Sequence, residues 1–194
     1  MSGGEQRNTE DLVLVRKTLS GHTESYRILV ERHSGMIYSI AYGMTHHREE
    51  AQDAVQEIFY RAFRGLSGFR PEYPFGAWIK RIAINYLLDL RKKKRPVTVS
   101  LEDCGGDSAI HEISEDTPSA RERLNERQRE VSIRNAVAAL PAKYRIVVVL
   151  KHFEEMSCEE IAESLGCPLG TVMTRLHRGR QKLAEALGPI LEES

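Results

Sequence analysis

Residues 157–187 read SCEEIAESLGCPLGTVMTRLHRGRQKLAEAL, and this stretch decides the architecture of the C-terminal part of the chain. Ser157 and Glu160 stand at capping-box spacing, where a hydroxyl and a carboxylate each satisfy an orphan backbone donor at a helix start. Ile161, Ala162 and Leu165 supply a short apolar face, and Gly166 falls where a left-handed C-cap residue is needed. Cys167-Pro168 then opens a second helix, since proline suits a first helical turn. A short helix, a tight turn and a longer helix follow in the order of a helix-turn-helix unit. At about 100° per residue, Val172, Leu176, Gly179, Leu183 and Leu187 share one inward sector. Thr174, His177, Arg178 and Gln181 lie opposite, flanked by Arg175 and Lys182. A guanidinium can fork onto guanine and a hydroxyl or amide can meet a base edge, whereas lysine mainly holds phosphate. Thr174 and Arg178 are therefore expected to read bases, and Arg175 and Lys182 to hold phosphates. A basic face of this kind also fits the solvated side of an amphipathic hairpin.

Upstream the chain is again helical. Apolar periodicity predicts helices broken at Gly21, near Thr45, and across residues 65–74. In the helix from about Arg48 to Leu66, the residues Ala51, Val55, Ile58, Ala62 and Leu66 form the buried stripe, with Glu50, Asp53 and Glu57 opposite and Tyr60 beside them. In residues 75–95, Ile79, Ile82, Ala83, Tyr86, Leu87 and Leu90 point inward, while Trp78, Arg81, Asn85, Leu88, Asp89 and Lys92 point away. The only Trp of the chain thus stands beside cations and next to a loop carrying Phe69, Tyr73 and Phe75. Aromatics interleaved with cations suit single-stranded or melted DNA, because stacking holds the bases and charge holds the backbone. The same pattern fits a core Trp with a basic run at 91–95.

Residues 97–119 differ: Gly105-Gly106, Pro118, six acids, no Lys or Arg, and few large apolar side chains. This composition reads as a flexible linker. The 194 residues are thus expected to form an all-α chain of two small helical domains, 1–96 and 120–194, joined by an acidic linker at 97–119, with the helix-turn-helix in the second. Val147-Val148-Val149, though β-branched, belongs to a buried helix with Tyr144, Leu150 and Phe153.

The formal net charge of zero hides this segregation. Residues 78–96 carry seven cations against Asp89, a net +6, residues 97–119 carry −6, and residues 171–182 carry +4. Two separate basic segments suit a molecule touching phosphates at two places. No apolar run approaches the roughly 20 residues of a membrane span, and residues 1–11 show no export signal, so a cytoplasmic protein is expected. Cys104, Cys158 and Cys167 form no CxxC pair, and His46, His47, His152 and Cys158 do not fall at zinc-site spacing, so no metal is expected. A glycine-rich phosphate loop and a nucleophile elbow are absent, so no catalytic residue, cofactor or small-molecule substrate is expected. A plain helix-turn-helix regulator remains the alternative, but it leaves the acidic Asp53 face and the Trp78 helix without a purpose.

Three segments together, EAQDAVQEIF at 50–59, FGAWIKRIAIN at 75–85 and the helix-turn-helix with PLGTV at 168–172, resemble the extracytoplasmic-function (ECF, group IV) sigma factors of bacterial RNA polymerase. Order and separation match over nearly the whole chain. The resemblance implies that Glu50, Asp53, Gln56 and Glu57 dock on the clamp of the largest polymerase subunit, with the second-largest subunit a further partner. It implies that Phe69, Tyr73, Phe75, Trp78, Arg81, Asn85 and Lys92 meet the −10 element, the loop holding a base flipped out at a cost of a few kcal/mol. It implies that Thr171, Thr174, Arg175, His177, Arg178, Gln181 and Lys182 meet the −35 element. An anti-sigma factor, often membrane-bound, is the implied regulator, and the linker would thread the polymerase channels, where its charge suits a mimic of RNA or template. Met173 departs from the usual basic residue, Pro71 and Pro74 stiffen the flipped-base loop, and no further C-terminal domain is expected.

Overall fold

The computed structural model describes residues 3–93 and 120–192, with side chains placed for 8–90 and 128–188. Residues 94–119, which include the whole of the expected linker, lie outside the described residues. The first group of helices comprises α1 (Gly3–Leu19), α2 (Glu24–Thr45), α3 (Arg48–Gly65), a 3-10 turn (Leu66–Gly68) and α4 (Phe75–Lys93). The second comprises α5 (Ala120–Ala139), α6 (Ala142–His152), α7 (Cys158–Leu165) and α8 (Leu169–Glu192), and the described residues contain no strand.

The breaks follow local chemistry. Gly21 takes φ +98° after α1, a conformation in which a side chain would be strained. His46 ends α2 at φ 58°, its N–H donating to the Tyr42 carbonyl at 2.8 Å. Pro141 and Pro168 precede α6 and α8, where a missing N–H costs nothing. Val147, Val148 and Val149 lie fully inside α6, because the core packed around them outweighs their modest helix propensity.

Packing in the first group centres on α2 and α3, with Leu29, Ile37, Ile40, Ala51, Ile58 and Ala62 fully buried. At about 1.5–3 kcal/mol for each large buried aliphatic side chain, this stripe dominates the stability of the group. The Tyr26 hydroxyl spans α2 to α3, donating to the Phe59 carbonyl at 2.6 Å. In the second group α6 is the hub, flanked by α7 and α8, and residues 144–150 are buried without exception.

The two helical groups pack on each other. The buried apolar residues of both form one contiguous cluster, and α2 packs on α6 while α4 packs on α7. This explains why α4 buries more than its single expected face. Ile84, on the Lys80–Ile84–Leu88 stripe beside the expected face, is fully buried.

Candidate nucleic-acid and protein interfaces

The helix-turn-helix is built as its sequence dictates. The Ser157 hydroxyl accepts from the Glu160 N–H at 3.1 Å, and the Ser157 N–H donates back to the Glu160 carboxylate at 2.8 Å. That backbone bond, aided by the Ser157 hydroxyl, Lys80 and Lys151 and opposed by partial burial, holds the Glu160 carboxyl below its usual range. At the other end of α7, the Gly166 N–H donates to Glu163 and the Cys167 N–H to Ala162, the two bonds of a Schellman turn, with Gly166 at φ 59°.

Val172, Leu176 and Gly179 of α8 are buried. Gly179 has no room for a side chain, since a Cβ would come within 3.0 Å of a Val148 methyl. This fixes which face turns outward. Thr174, His177, Arg178, Gln181 and Lys182 are exposed, and Thr171 and Arg175 are half-buried. The Thr174 hydroxyl donates to the Gly170 carbonyl at 2.8 Å, leaving an acceptor free. Arg178, chiefly, and Lys143 lie close enough to the Tyr144 hydroxyl to lower the pKa of that phenol. Tyr144 sits on α6 and no sequence pattern marked it as part of the face. Arg180 approaches the His152 ring at 3.3 Å, and burial, then Arg180 and Lys151, push the His152 pKa down.

On the first group, Phe69, Phe75 and Trp78 form one aromatic cluster with ring centroids 5.3–5.9 Å apart. Phe75, expected among the DNA-facing aromatics, is 0% exposed and packs on the His33 ring. It stands four residues before Ile79 and eight before Ala83, so it extends the inward stripe and offers no face to a base. Phe69 and Trp78 are half-buried and keep part of their rings accessible, and Tyr73, at 53% exposure, is the free aromatic of the loop. Arg81 and Asn85 are exposed. Lys92 falls in α4, with its side chain outside the described residues. A cleft of about 1030 Å³ runs along this surface, with Arg32, Arg70, Tyr73, Trp78, Lys80 and Arg81 on one wall and Met156, Glu160 and Glu163 of the second group on the other.

The acidic face of α3 holds Asp53 and Gln56 exposed and Glu50 and Glu57 half-buried. Glu57 pairs with Arg61 at 2.6 Å, and Arg61 lies over the Tyr86 ring at 4.6 Å. Asp53, Gln56, Glu57, Arg61 and Tyr86, with Tyr60, Asp89 and Leu90, line a groove of about 790 Å³ between α3 and α4. Arg61 and Tyr86 were not among the expected residues. The i, i+4 spacing of Glu57 and Arg61 was the signal available for the first, and nothing local marked the second.

An α-helical protein pairing a helix-turn-helix with a second, aromatic-and-basic helical surface belongs to the class of DNA-binding transcription factors, and the comparisons specify it. Residues 29–97 match the sigma-70 region 2 family and residues 130–183 the sigma-70 region 4 family. The chain is 34% identical to the ECF RNA polymerase sigma factor SigW of Bacillus subtilis over 89% of this chain and 94% of that one. It is 32% identical to the RNA polymerase sigma-H factor of Pseudomonas aeruginosa, covering 95% and 97% of the two chains. Among solved structures it resembles CnrH in complex with the cytosolic domain of CnrY, at 27% identity, a TM-score of 0.65 and coverage of 93% and 98%. The chain belongs to the ECF RNA polymerase sigma factors. It is a promoter-specific transcription initiation factor and not an enzyme.

Proposed function

We propose that the two helical groups divide the promoter between them. Residues 1–96 bind core polymerase through Glu50, Asp53, Gln56 and Glu57 and take the −10 element on Phe69, Tyr73, Trp78, Arg81, Asn85 and Lys92. Residues 120–194 place α8 in the major groove of the −35 element through Thr171, Thr174, Arg175, His177, Arg178, Gln181 and Lys182, and residues 97–119 link the two. The observation that carries this reading is the outward face of α8: its cations and hydroxyls lie together opposite a core that admits only one orientation of the helix. Phosphate contacts set the register there and Arg178 supplies base readout. On the other group, partly exposed Phe69 and Trp78 and free Tyr73 stand beside Arg81, the combination that stacks and holds unpaired strands.

The site of action is the cytoplasm, where polymerase and promoter are. An anti-sigma factor holds the protein inactive, a reading supported by the likeness to CnrH, which was solved bound to the cytosolic domain of CnrY. The test is promoter binding with and without core polymerase. Selective binding that requires the core enzyme supports the division; equally tight and selective binding by the chain alone would instead identify a plain duplex-binding regulator.

A further inference from the structure

Met173, at 58%, is the most exposed large apolar side chain among the described residues, and it stands on α8. Val172, Leu176 and Gly179 turn to the core and set the orientation of that helix. At about 100° per residue, the first turns of α8 divide their outward arc into two unlike flanks. Thr171, Arg175 and Arg178 occupy one flank, which suits phosphate and guanine. Leu169, Met173 and His177 occupy the other at i, i+4 spacing, and Thr174 lies between the two. The second flank therefore carries an apolar side chain into solvent on the helix assigned to the major groove, at the end where base edges are met.

Two further features give this flank a shape and a hydrogen-bonding character. Gly170 lies in the first turn of α8 with ordinary helical backbone. No atom lies within 4 Å of the position its Cβ would take. Neither its conformation nor the chain's own packing calls for a glycine there. The missing side chain leaves an exposed notch beside Met173 and Thr174, which stand three and four residues on and so share its side of the helix. A notch of this kind lets another molecule approach the backbone closely. The Thr174 hydroxyl donates to the Gly170 carbonyl at 2.8 Å. With that hydrogen committed, Thr174 offers a base only its methyl group and an acceptor lone pair.

In the major groove thymine alone carries a methyl group, and only adenine and cytosine present an amino donor. An A·T pair is thus the one pair that offers both. We propose that Met173, beside the Gly170 notch, is a specificity-determining residue that reads a thymine 5-methyl group in the −35 element, with the Thr174 lone pair facing the adenine amino group. A thioether chain suits this contact because it is unbranched and polarizable and adapts to the contour it meets. Burying one methyl group is worth about fourfold in affinity. The contact releases no counterion, so it discriminates equally at low and high salt, unlike the phosphate contacts of the opposite flank. Met173 therefore reads sequence where a cation at the same position would hold phosphate.

This inference rests on the proposed division of the promoter, and the experiment keeps the two apart. Holoenzyme reconstituted from bacterial core polymerase and the full chain is bound to duplexes carrying its selected −35 sequence. Each thymine of the element is replaced in turn by deoxyuridine, which lacks only the methyl group. Wild type should bind about fourfold more weakly when one particular thymine is replaced, by the same ratio at two salt concentrations. Met173→Ala should bind thymine and deoxyuridine alike at that position, and Met173→Leu should keep most of the discrimination. Arg178→Ala should leave the methyl ratio intact, because the guanidinium stands on the other flank. Met173 is exposed, so its variants should melt as wild type does. Wild type that selects a −35 sequence yet tolerates deoxyuridine at every thymine would overturn the inference and leave the division standing. A methyl ratio that survives in Met173→Ala would overturn the assignment to Met173. Wild type with no −35 preference at all would overturn the division, and this inference with it.

Discussion

Arg178→Ala is the perturbation that tests the DNA reading most locally. Arg178 is exposed on the outward arc of α8, and its guanidinium is the main influence lowering the pKa of the nearby Tyr144 hydroxyl. A guanidinium has five N–H donors, enough to fork onto a guanine with the Tyr144 hydroxyl beside it to help orient the side chain. A bidentate base contact is worth about 1–3 kcal/mol of discrimination, which corresponds to about 5- to 150-fold in affinity. Removing the side chain should cost that much on the cognate −35 duplex and flatten preference at one base pair only. Tyr144→Phe removes a single hydroxyl and should cost about 1 kcal/mol, a few-fold in affinity. Because Tyr144 acts through Arg178, the double variant should match Arg178→Ala alone rather than the sum of the two. The assay is equilibrium binding of reconstituted holoenzyme to a panel of duplexes with each −35 position varied in turn, at two salt concentrations. A loss spread evenly over all sequences, with the salt slope reduced by about one, would show that Arg178 meets phosphate. An additive double variant would show that Tyr144 does not position it.

Other consequences follow from individual contacts. Ser157→Ala removes the hydroxyl that accepts from the Glu160 N–H and should cost about 1 kcal/mol in urea denaturation. Glu160 has a folded pKa below its ordinary value of 4.5, so the stability it contributes is present above that pH and is lost as pH falls through the folded pKa. The stability difference between wild type and Glu160→Gln should therefore close on acidification, and a gap that widens toward low pH would refute the assignment. Asp53 is exposed on α3, so Asp53→Arg should leave the melting temperature within about a degree or two, as surface changes do, while abolishing capture by the clamp fragment. Undiminished capture would remove Asp53 from the polymerase-binding face.

What could be read from the sequence was what is encoded within a few residues. The cap at Ser157, the turn at Gly166 and the inward stripe of α8 depend on neighbours within one or two helical turns, and all three stand where the residues put them. The same holds for the ends of α1, α2 and α5, marked by Gly21, Thr45 and Pro141. The hydrogen bond from Arg145 to the Met44 carbonyl was invisible because the two stand 101 residues apart, and a carbonyl has no letter in the sequence. Ile84 was missed for a related reason: periodicity finds one buried face of a helix, whereas α4 packs against helices of both groups. Phe75 shows a third limit. Side by side in sequence, Phe69, Tyr73, Phe75 and Trp78 look alike as stacking platforms, and only the register of α4 decides that Phe75 enters the core while Tyr73 stays free. On α3, Glu50, Asp53 and Glu57 were legible as an acidic stripe, whereas Tyr86 joins the groove beside Asp53 and Glu57 from another helix.

The central claim is tested by transcription reconstituted from bacterial core polymerase, with and without this protein, on a library of promoters randomised at both elements. The account predicts initiation from a single promoter class only when the protein is present, with both a −35 and a −10 sequence selected. Initiation that is unaffected by the protein, with core enzyme of its own organism, would contradict it.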